Sequence, residues 1–145
     1  MNRRALILAA ACALSARAAH ASGKPAEKPG PVGQYVELLP MALPIVAYGE
    51  VVNYIFVQVR LELAANVDAA RLRLREPYFR DALVRVGNRT PFNSSKDYVS
   101  LDEAKLKAAM MREAAAIAGQ GAVKSVTVLS QSPKRRTGLP KPKAA

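Results

Sequence analysis

Side chains able to act as nucleophiles, metal ligands or acid–base catalysts are few in this 145-residue chain. The single cysteine and the single histidine, Cys12 and His20, both lie near the N-terminus. The carboxylates of the central region include Glu37, Glu50, Glu62, Asp68, Glu76 and Asp81. No two of them have a spacing typical of an acid–base pair. We therefore name no catalytic, cofactor-binding or metal-binding residue and predict that the protein is not an enzyme.

The first 21 residues have the composition of a secretory signal peptide. Basic residues precede an apolar run at residues 5–14, and Ala19-His20-Ala21 has the small residues that signal peptidase requires before Ser22. A membrane-spanning helix needs about 20 apolar residues, and Arg17 interrupts this run. We predict export to the periplasm with cleavage between Ala21 and Ser22, and membrane association if the signal is retained.

Cleavage of the signal would remove both Cys12 and His20. The mature chain would then contain neither thiol nor imidazole, which excludes structural disulfides, cysteine nucleophiles, histidine-based triads and ordinary zinc sites. Lipidation at Cys12, an uncleaved anchor and the twin-arginine export route are the alternatives for this segment.

The strong positive charge of the chain, +11 in total, belongs mainly to its two ends. Residues 33–132 hold twelve basic and ten acidic side chains, a net charge of only +2. A candidate polyanion contact therefore lies in the C-terminal tail, at Lys134, Arg135, Arg136, Lys141 and Lys143. Such a tail could contact a membrane or peptidoglycan peripherally, and the alternative is a tail that only increases solubility.

Basic residues also cluster in the centre of the chain, where we name a candidate partner surface of Arg71, Arg75, Arg80 and Arg85. The alternative is a solvated helix face that Asp68, Glu76 and Asp81 partly neutralise. Aromatic residues do not alternate regularly with these arginines, as they do in proteins that bind single-stranded nucleic acid. We therefore predict no nucleic-acid partner.

The longest regular pattern covers residues 51–63, where apolar residues recur at nearly every second position. This period of two predicts a β-strand. Because Val52, Tyr54 and Phe56 fill the alternate positions, we expect its first half to be buried on both faces and its second half on one. The segments before it predict a hairpin: a strand at 34–38, a proline-containing edge segment at 39–47 and a turn at 48–50.

Two short helices are predicted after this strand. Asn66 or Asp68 can cap the first helix, and Pro77 is tolerated in the first turn of the second. The pair Gly87-Asn88 predicts the end of the second helix.

A third helix and a closing strand complete the predicted domain. Ser100 and Glu103 match a capping box, and the helix that they begin is expected to end near Ala118. A strand is predicted at residues 122–129, followed by a mobile, polar and basic tail from Ser130 onward.

These patterns predict an α+β domain with a mostly antiparallel sheet, in which a long central strand is packed by two to three helices. The predicted organisation is a signal peptide at residues 1–21, a Pro/Gly-rich linker at 22–32, the folded domain at 33–132 and a disordered basic tail at 133–145.

The order of five motifs resembles the flagellar basal-body-associated FliL family. The opening strand at residues 35–40 is similar to that family's aromatic-x-x-Leu-x-Pro motif, and residues 54–62 resemble its main strand. Pro77 followed by Arg80-Asp81-Ala82 resembles its Pro…Arg-Asp-Ala helix. The helix at 101–118 and a closing strand that ends near Gln131 occupy the corresponding places.

This resemblance implies a domain like that of stomatin (SPFH), which assembles into rings around the stator units of the flagellar motor. It implies a non-enzymatic role in motility, no cofactor, self-association into a homo-oligomer and contact with flagellar stator proteins. A ring interface is expected at the edge near residues 41–47 or on the arginine-bearing helices. Proteins of this family usually keep a transmembrane helix, whereas a cleavable signal is predicted here.

Two other functions are compatible with the sequence. One is an exported envelope-binding module that contacts peptidoglycan or anionic lipid through its basic tail. The other is an intracellular RNA- or ribosome-binding protein, which requires that the N-terminus is not a signal peptide.

Overall fold

A computed structural model describes residues 33–142. The predicted signal peptide and linker, and Lys143 of the predicted tail, lie outside the described residues. Within residues 33–142 the elements are β1 (Tyr35–Glu37), β2 (Met41–Ala47), β3 (Glu50–Leu63), α1 (Ala69–Leu74), α2 (Glu76–Arg89), α3 (Glu103–Ala118) and β4 (Val123–Pro133). The strands form an antiparallel sheet packed with the three helices, which confirms the predicted α+β class with a long central strand.

β3 is the strand to which every other strand of the described sheet is paired. Ile55 illustrates the arrangement, because it lies opposite Leu43 of β2 on one side and opposite Pro133 of β4 on the other. β1 pairs with the C-terminal part of β3. The sheet is therefore organised around one 14-residue strand, as the period-two pattern predicts.

A tight turn joins β2 to β3 and confirms the predicted hairpin. Ala47 is paired with Glu50, so the loop consists of Tyr48 and Gly49. Both have positive φ, 56° at Tyr48 and 82° at Gly49. Two-residue hairpin loops of this type require positive φ at both positions, which glycine adopts freely and tyrosine only at a cost.

The hydrophobic core lies against one face of the sheet. Ile55, Val57 and Leu61 of β3 join the same buried cluster as Phe79 of α2 and Met110 of α3. These helices therefore cover the face of β3 that carries the odd-numbered residues from Asn53 to Leu63.

On the opposite face of β3, the structure differs from one expectation based on the sequence. Tyr54 and Phe56 were expected to be buried, but they are 39% and 47% exposed, and Val51 is 50% exposed. The first half of the strand is therefore not buried on both faces. The reason is that the large buried side chains of the described helices, such as Phe79, Leu83 and Met110, belong to the core on the other face.

α1 and α2 begin as the sequence predicts, but α2 ends later. The carboxylate of Asp68 accepts a hydrogen bond from the Arg71 amide at 3.0 Å, and Pro77 lies in the first turn of α2. The predicted end at Gly87-Asn88 is wrong, because α2 continues to Arg89. Gly87 is buried inside the helix instead of ending it.

Gly87 provides space for close packing between α2 and the core. A Cβ atom at this position would lie 2.9 Å from Leu43 Cδ2 and 3.3 Å from Phe92 Cε2. We expect Gly87→Val to lower the free energy of unfolding by about 1–3 kcal/mol, because it overpacks the core. Ala108→Val, on the exposed side of α3, is the matched control in denaturant unfolding. An unchanged stability of Gly87→Val would contradict overpacking, because valine has a higher helix propensity than glycine and adds no cost of that kind.

α3 begins two residues later than predicted, at Glu103, and ends where the sequence predicts. Asp102, not Ser100, caps the helix, and its carboxylate accepts a hydrogen bond from the Lys105 amide at 3.1 Å. The Ser100 hydroxyl donates to Asp97 instead. α3 ends at Ala118, and Gly119 follows with a φ of 97°. No helix within residues 33–142 is long and apolar enough to cross a membrane.

β4 extends further than predicted and orders the start of the basic tail. The strand continues to Pro133, four residues beyond the predicted end at Leu129. Lys134 then donates its amide to the Tyr54 carbonyl at 2.8 Å. The prediction of a mobile tail from Ser130 onward is therefore wrong, because backbone pairing with β3 continues to Pro133.

Candidate interaction surfaces

The central arginines, predicted as a partner surface, are mostly engaged within the fold. Arg75 donates to the Ile117 carbonyl at 3.1 Å and so connects the start of α2 to the end of α3. Arg80 Nε lies 3.7 Å from the Glu76 carboxylate, and Arg85 is paired with Asp81 one turn before it. The fourth arginine, Arg71, is exposed on α1. These contacts favour the interpretation of a helix face neutralised by its own carboxylates.

A second cationic group lies on the face of the sheet that the helices leave uncovered. Arg60 stacks over the Tyr35 ring, with 4.4 Å between the guanidinium carbon and the ring centroid, and also pairs with Glu37 at 3.2 Å. Gln58 donates to the same carboxylate, and Arg73 of α1 reaches the Tyr35 carbonyl at 3.3 Å. These polar contacts engage the side chains on the half of this face nearest to β1, although the buried Nε of Arg60 has no hydrogen-bond partner within residues 33–142. The alternation of polar residues in β3 could have indicated them.

The other half of the uncovered face is apolar. Tyr54 lies opposite Pro44 of β2, and Phe56 lies between Ala42 of β2 and Ser132 of β4. Two aromatic rings therefore project from adjacent same-face positions of β3 with small side chains beside them. The sequence places these aromatics on one face but does not show that the face is open.

Asn53 is buried among apolar residues and was missed as a functional position. It is 2% exposed, and its amide nitrogen donates to the carbonyls of Tyr98 and Arg135 at 2.8 and 2.9 Å. Its Oδ1 accepts from the amides of Arg135 and Tyr54 at 3.0 and 2.9 Å. One side chain thus joins the central strand, the 91–102 loop and the basic tail.

The basic residues of the tail are exposed and lie beside the β2–β3 hairpin. Lys134 Nζ lies 5.8 Å from the centroid of the Tyr54 ring. Tyr48 in the turn donates its hydroxyl to the Lys141 carbonyl at 3.2 Å. The term hairpin–tail surface is used below for these exposed residues: Tyr48, Val51, Tyr54, Phe56, Lys134, Arg135, Arg136 and Lys141.

An open cavity of about 300 Å³ lies within this surface. Its lining residues are Val51, Val52, Asn53, Tyr54, Lys134 and Arg135. The cavity therefore combines apolar strand residues with two cations of the predicted polyanion contact. A larger groove of about 500 Å³ lies between α3 and the start of β4, and Arg112 is the charged residue in its lining. The described lining of that groove supplies no nucleophile or carboxylate.

The edge of β2, predicted as a ring interface, is partly closed. Asn93 accepts a hydrogen bond from the Val46 amide at 3.2 Å and donates its side-chain amide to the Val46 carbonyl. Pro44 has no amide hydrogen to offer a further strand. The edge near residues 41–47 therefore has few free backbone groups, whereas β4 pairs within the described residues only with β3.

The loop that carries Asn93 is held by hydrogen bonds to the Asp97 carboxylate. The Asp97 carboxylate accepts hydrogen bonds from the amides of Val99 and Ser100 and from the Ser100 hydroxyl, at 2.8–3.0 Å. Partial burial alone would raise the pKa of Asp97. The hydrogen bonds and the charge of Lys96 outweigh burial and lower this pKa below its ordinary value.

We expect the stability that Asp97 contributes to depend on pH. Its pKa is lower in the folded chain than in the unfolded chain, so the ionised carboxylate stabilises the fold above about pH 4. That contribution is lost as the pH falls through the folded pKa. The difference in thermal midpoint between the unmodified protein and Asp97→Ala should therefore be larger at pH 7 than at about pH 2.5. A constant difference would contradict this role.

No cluster of three or more His, Cys, Asp or Glu side chains that could hold a metal occurs among residues 33–142. Comparison with models of known protein families found no match to this chain, and no curated protein sequence matches it. The five motifs that resemble the FliL family lie in β1, β3, α2, α3 and β4. The family assignment stays a prediction from these motifs.

Proposed function

We propose that this protein is a non-enzymatic, exported structural protein that supports the flagellar motor by self-association, in the manner of the FliL family. The proposal is supported by the five motifs in the same order and by the absence of recognisable catalytic spacing in the sequence. Its partners would be further copies of the chain and the stator proteins of the motor. It requires neither cofactor nor nucleic acid.

The observation that carries self-association is the outer edge of β4. This strand has 11 residues, and among the described residues only one of its two edges is paired. An unpaired edge of this length offers backbone donors and acceptors over about 35 Å to another strand. Because the β2 edge is partly closed by Asn93, β4 is the better candidate for continuing the sheet into a second copy.

The proposal is tested in cells and with the purified protein. Deleting the gene should reduce swimming and swarming, and the purified protein should form rings visible by electron microscopy. Unchanged motility together with a monomeric protein would overturn it.

The role of the β4 edge in self-association is tested by introducing charged residues on it. Ser125 and Thr127 are exposed on β4, and Ser125→Lys with Thr127→Lys should dissociate the oligomer, because like charges across a strand pair repel. Ala42→Lys on the β2 side is the matched control and should leave oligomer size unchanged. Dissociation by Ala42→Lys but not by the β4 double variant would place the interface at the β2 edge.

A further inference from the structure

The hairpin–tail surface brings cations and exposed apolar side chains together at one end of the sheet. Lys134 lies over Tyr54, Lys141 is bonded to Tyr48, and Arg135 is fixed through Asn53. These contacts join segments that are 80 or more residues apart in sequence. The surface is therefore built by the fold and is not simply a property of a basic tail.

The electrostatic balance of this surface is positive. Lys134, Arg135, Arg136 and Lys141 are all exposed. Glu50, which follows the turn, is the acidic residue of the hairpin tip. Asp97 is near the surface through its loop, but its carboxylate is occupied by Val99 and Ser100. Anionic ligands are thus attracted to this end of the molecule.

The apolar part of the surface has a composition that suits a lipid interface. Tyr48 and Tyr54 have amphipathic rings of the kind that lie at the level of lipid headgroups, and Phe56 and Val51 add purely apolar area. Tyr48 is 66% exposed and adopts a left-handed conformation that glycine or asparagine would adopt at lower cost. A strained and exposed aromatic residue points to a role outside the fold itself.

We propose that the hairpin–tail surface is a peripheral binding site for anionic phospholipid bilayers. The cations would contact phosphate groups, with Lys134 and Arg135 holding one headgroup phosphate at the 300 Å³ cavity. Tyr48, Val51 and Phe56 would insert at the boundary between headgroups and acyl chains. Exposed apolar residues beside the cations favour a bilayer over a wholly polar polyanion such as peptidoglycan, because only a bilayer buries them.

This inference goes beyond the proposed motor function and does not depend on self-association. It gives the exported chain a means of attachment to the membrane surface that requires no membrane-spanning helix.

The test is vesicle flotation with protein purified from cells with the N-terminus that they leave on it. The protein should float with phosphatidylcholine vesicles that contain about one-third phosphatidylglycerol, and not with phosphatidylcholine alone. Binding should be lost in about 0.5 M salt, where screening reduces the range of charge interactions to about 4 Å. Equal flotation with both kinds of vesicle would overturn the proposal.

Charge-reversal variants locate the site. Lys134→Glu with Arg135→Glu should lower the partition coefficient by about 25-fold or more, at about fivefold for each cation lost. Arg136→Glu with Lys141→Glu is a second variant with the same charge change, for use if the first does not fold. Arg112→Glu with Lys124→Glu is the control, since both residues are exposed and Lys124 lies at the other end of β4.

Equal losses in the control and the test variants would overturn the assignment, because binding would then depend on net charge alone. Phe56→Thr should weaken binding by about fivefold, since threonine keeps the strand propensity but removes the aromatic ring. Tyr78→Ala removes an exposed aromatic residue on α2 and should leave binding unchanged. Sedimentation with peptidoglycan but not with vesicles would also overturn the proposal. None of these outcomes depends on motility or on ring formation.

Discussion

Replacing Phe79 with alanine is expected to lower the free energy of unfolding by about 3–5 kcal/mol. Phe79 is completely buried between α2 and the sheet, so its removal leaves a cavity as well as losing the transfer energy of the ring. Phe56 is the matched control, because it is the same residue type in the same protein but is 47% exposed. Phe56→Ala should cost less than about 1 kcal/mol.

Denaturant unfolding of the two variants decides which face of the sheet carries the core. The midpoint should fall strongly for Phe79→Ala and little for Phe56→Ala, with a similar dependence on denaturant concentration in both. If Phe56→Ala were as destabilising as Phe79→Ala, the first half of β3 would be buried on both faces, as its sequence pattern suggests.

Replacing Asn53 with alanine is the second change with a large expected effect, about 2–4 kcal/mol of lost stability. The substitution removes the partners of two carbonyls, at Tyr98 and Arg135, and of the Arg135 amide. Groups that lose their partners in this partly buried setting incur part of the cost of leaving water.

The Asn53 substitution should also release the tail from the hairpin. Lys134, Arg135 and Arg136 are potential trypsin sites, so cleavage at these residues under native conditions should become faster in Asn53→Ala. Asn88→Ala is the control, because Asn88 is exposed and donates one hydrogen bond to Val84. Destabilisation without faster cleavage at residues 134–136 would show that Asn53 supports the core but does not hold the tail.

Local signals in the sequence predicted the parts of the fold that depend on neighbouring residues. The period-two pattern located β3 to within one residue at its start, Asp68 was one of two caps considered for α1, and Pro77 marked the start of α2. Each of these signals acts through the backbone of the residue itself or of its near neighbours.

The features that the sequence did not predict depend on distant contacts. Whether Tyr54 and Phe56 are buried depends on which face the helices cover, which their own alternation does not reveal. Ser130 and Ser132 have the polarity of a tail, yet they pair with β3. Ser100 and Asp102 are both good caps, and the choice between them depends on Asp97, which binds the Ser100 hydroxyl.

The candidate surfaces also combine features that the sequence predicts with features that depend on distant contacts. The basic residues of the tail were identified from composition, but their position at the hairpin tip follows from Asn53, 82 residues before Arg135. The arginines of α1 and α2 were also identified, and their ion pairs with Glu76 and Asp81 follow from helical spacing. Composition does not predict that Lys134 lies beside Tyr54, because the long-range pairing of β4 with β3 brings them together.

The central position of β3 also constrains when the protein can become fully folded. The hairpin of β2 and β3 can form between adjacent segments of the chain. The other side of β3 is completed by β4, the last strand of the sheet, so Ile55 is paired there only once Pro133 is available. During synthesis or export from the N-terminus, that side of β3 stays open until the end of the chain is available. A chain shortened before Val123 would expose β3, the longest strand within residues 33–142, along its whole second edge. An unpaired strand edge of this kind readily pairs with other chains.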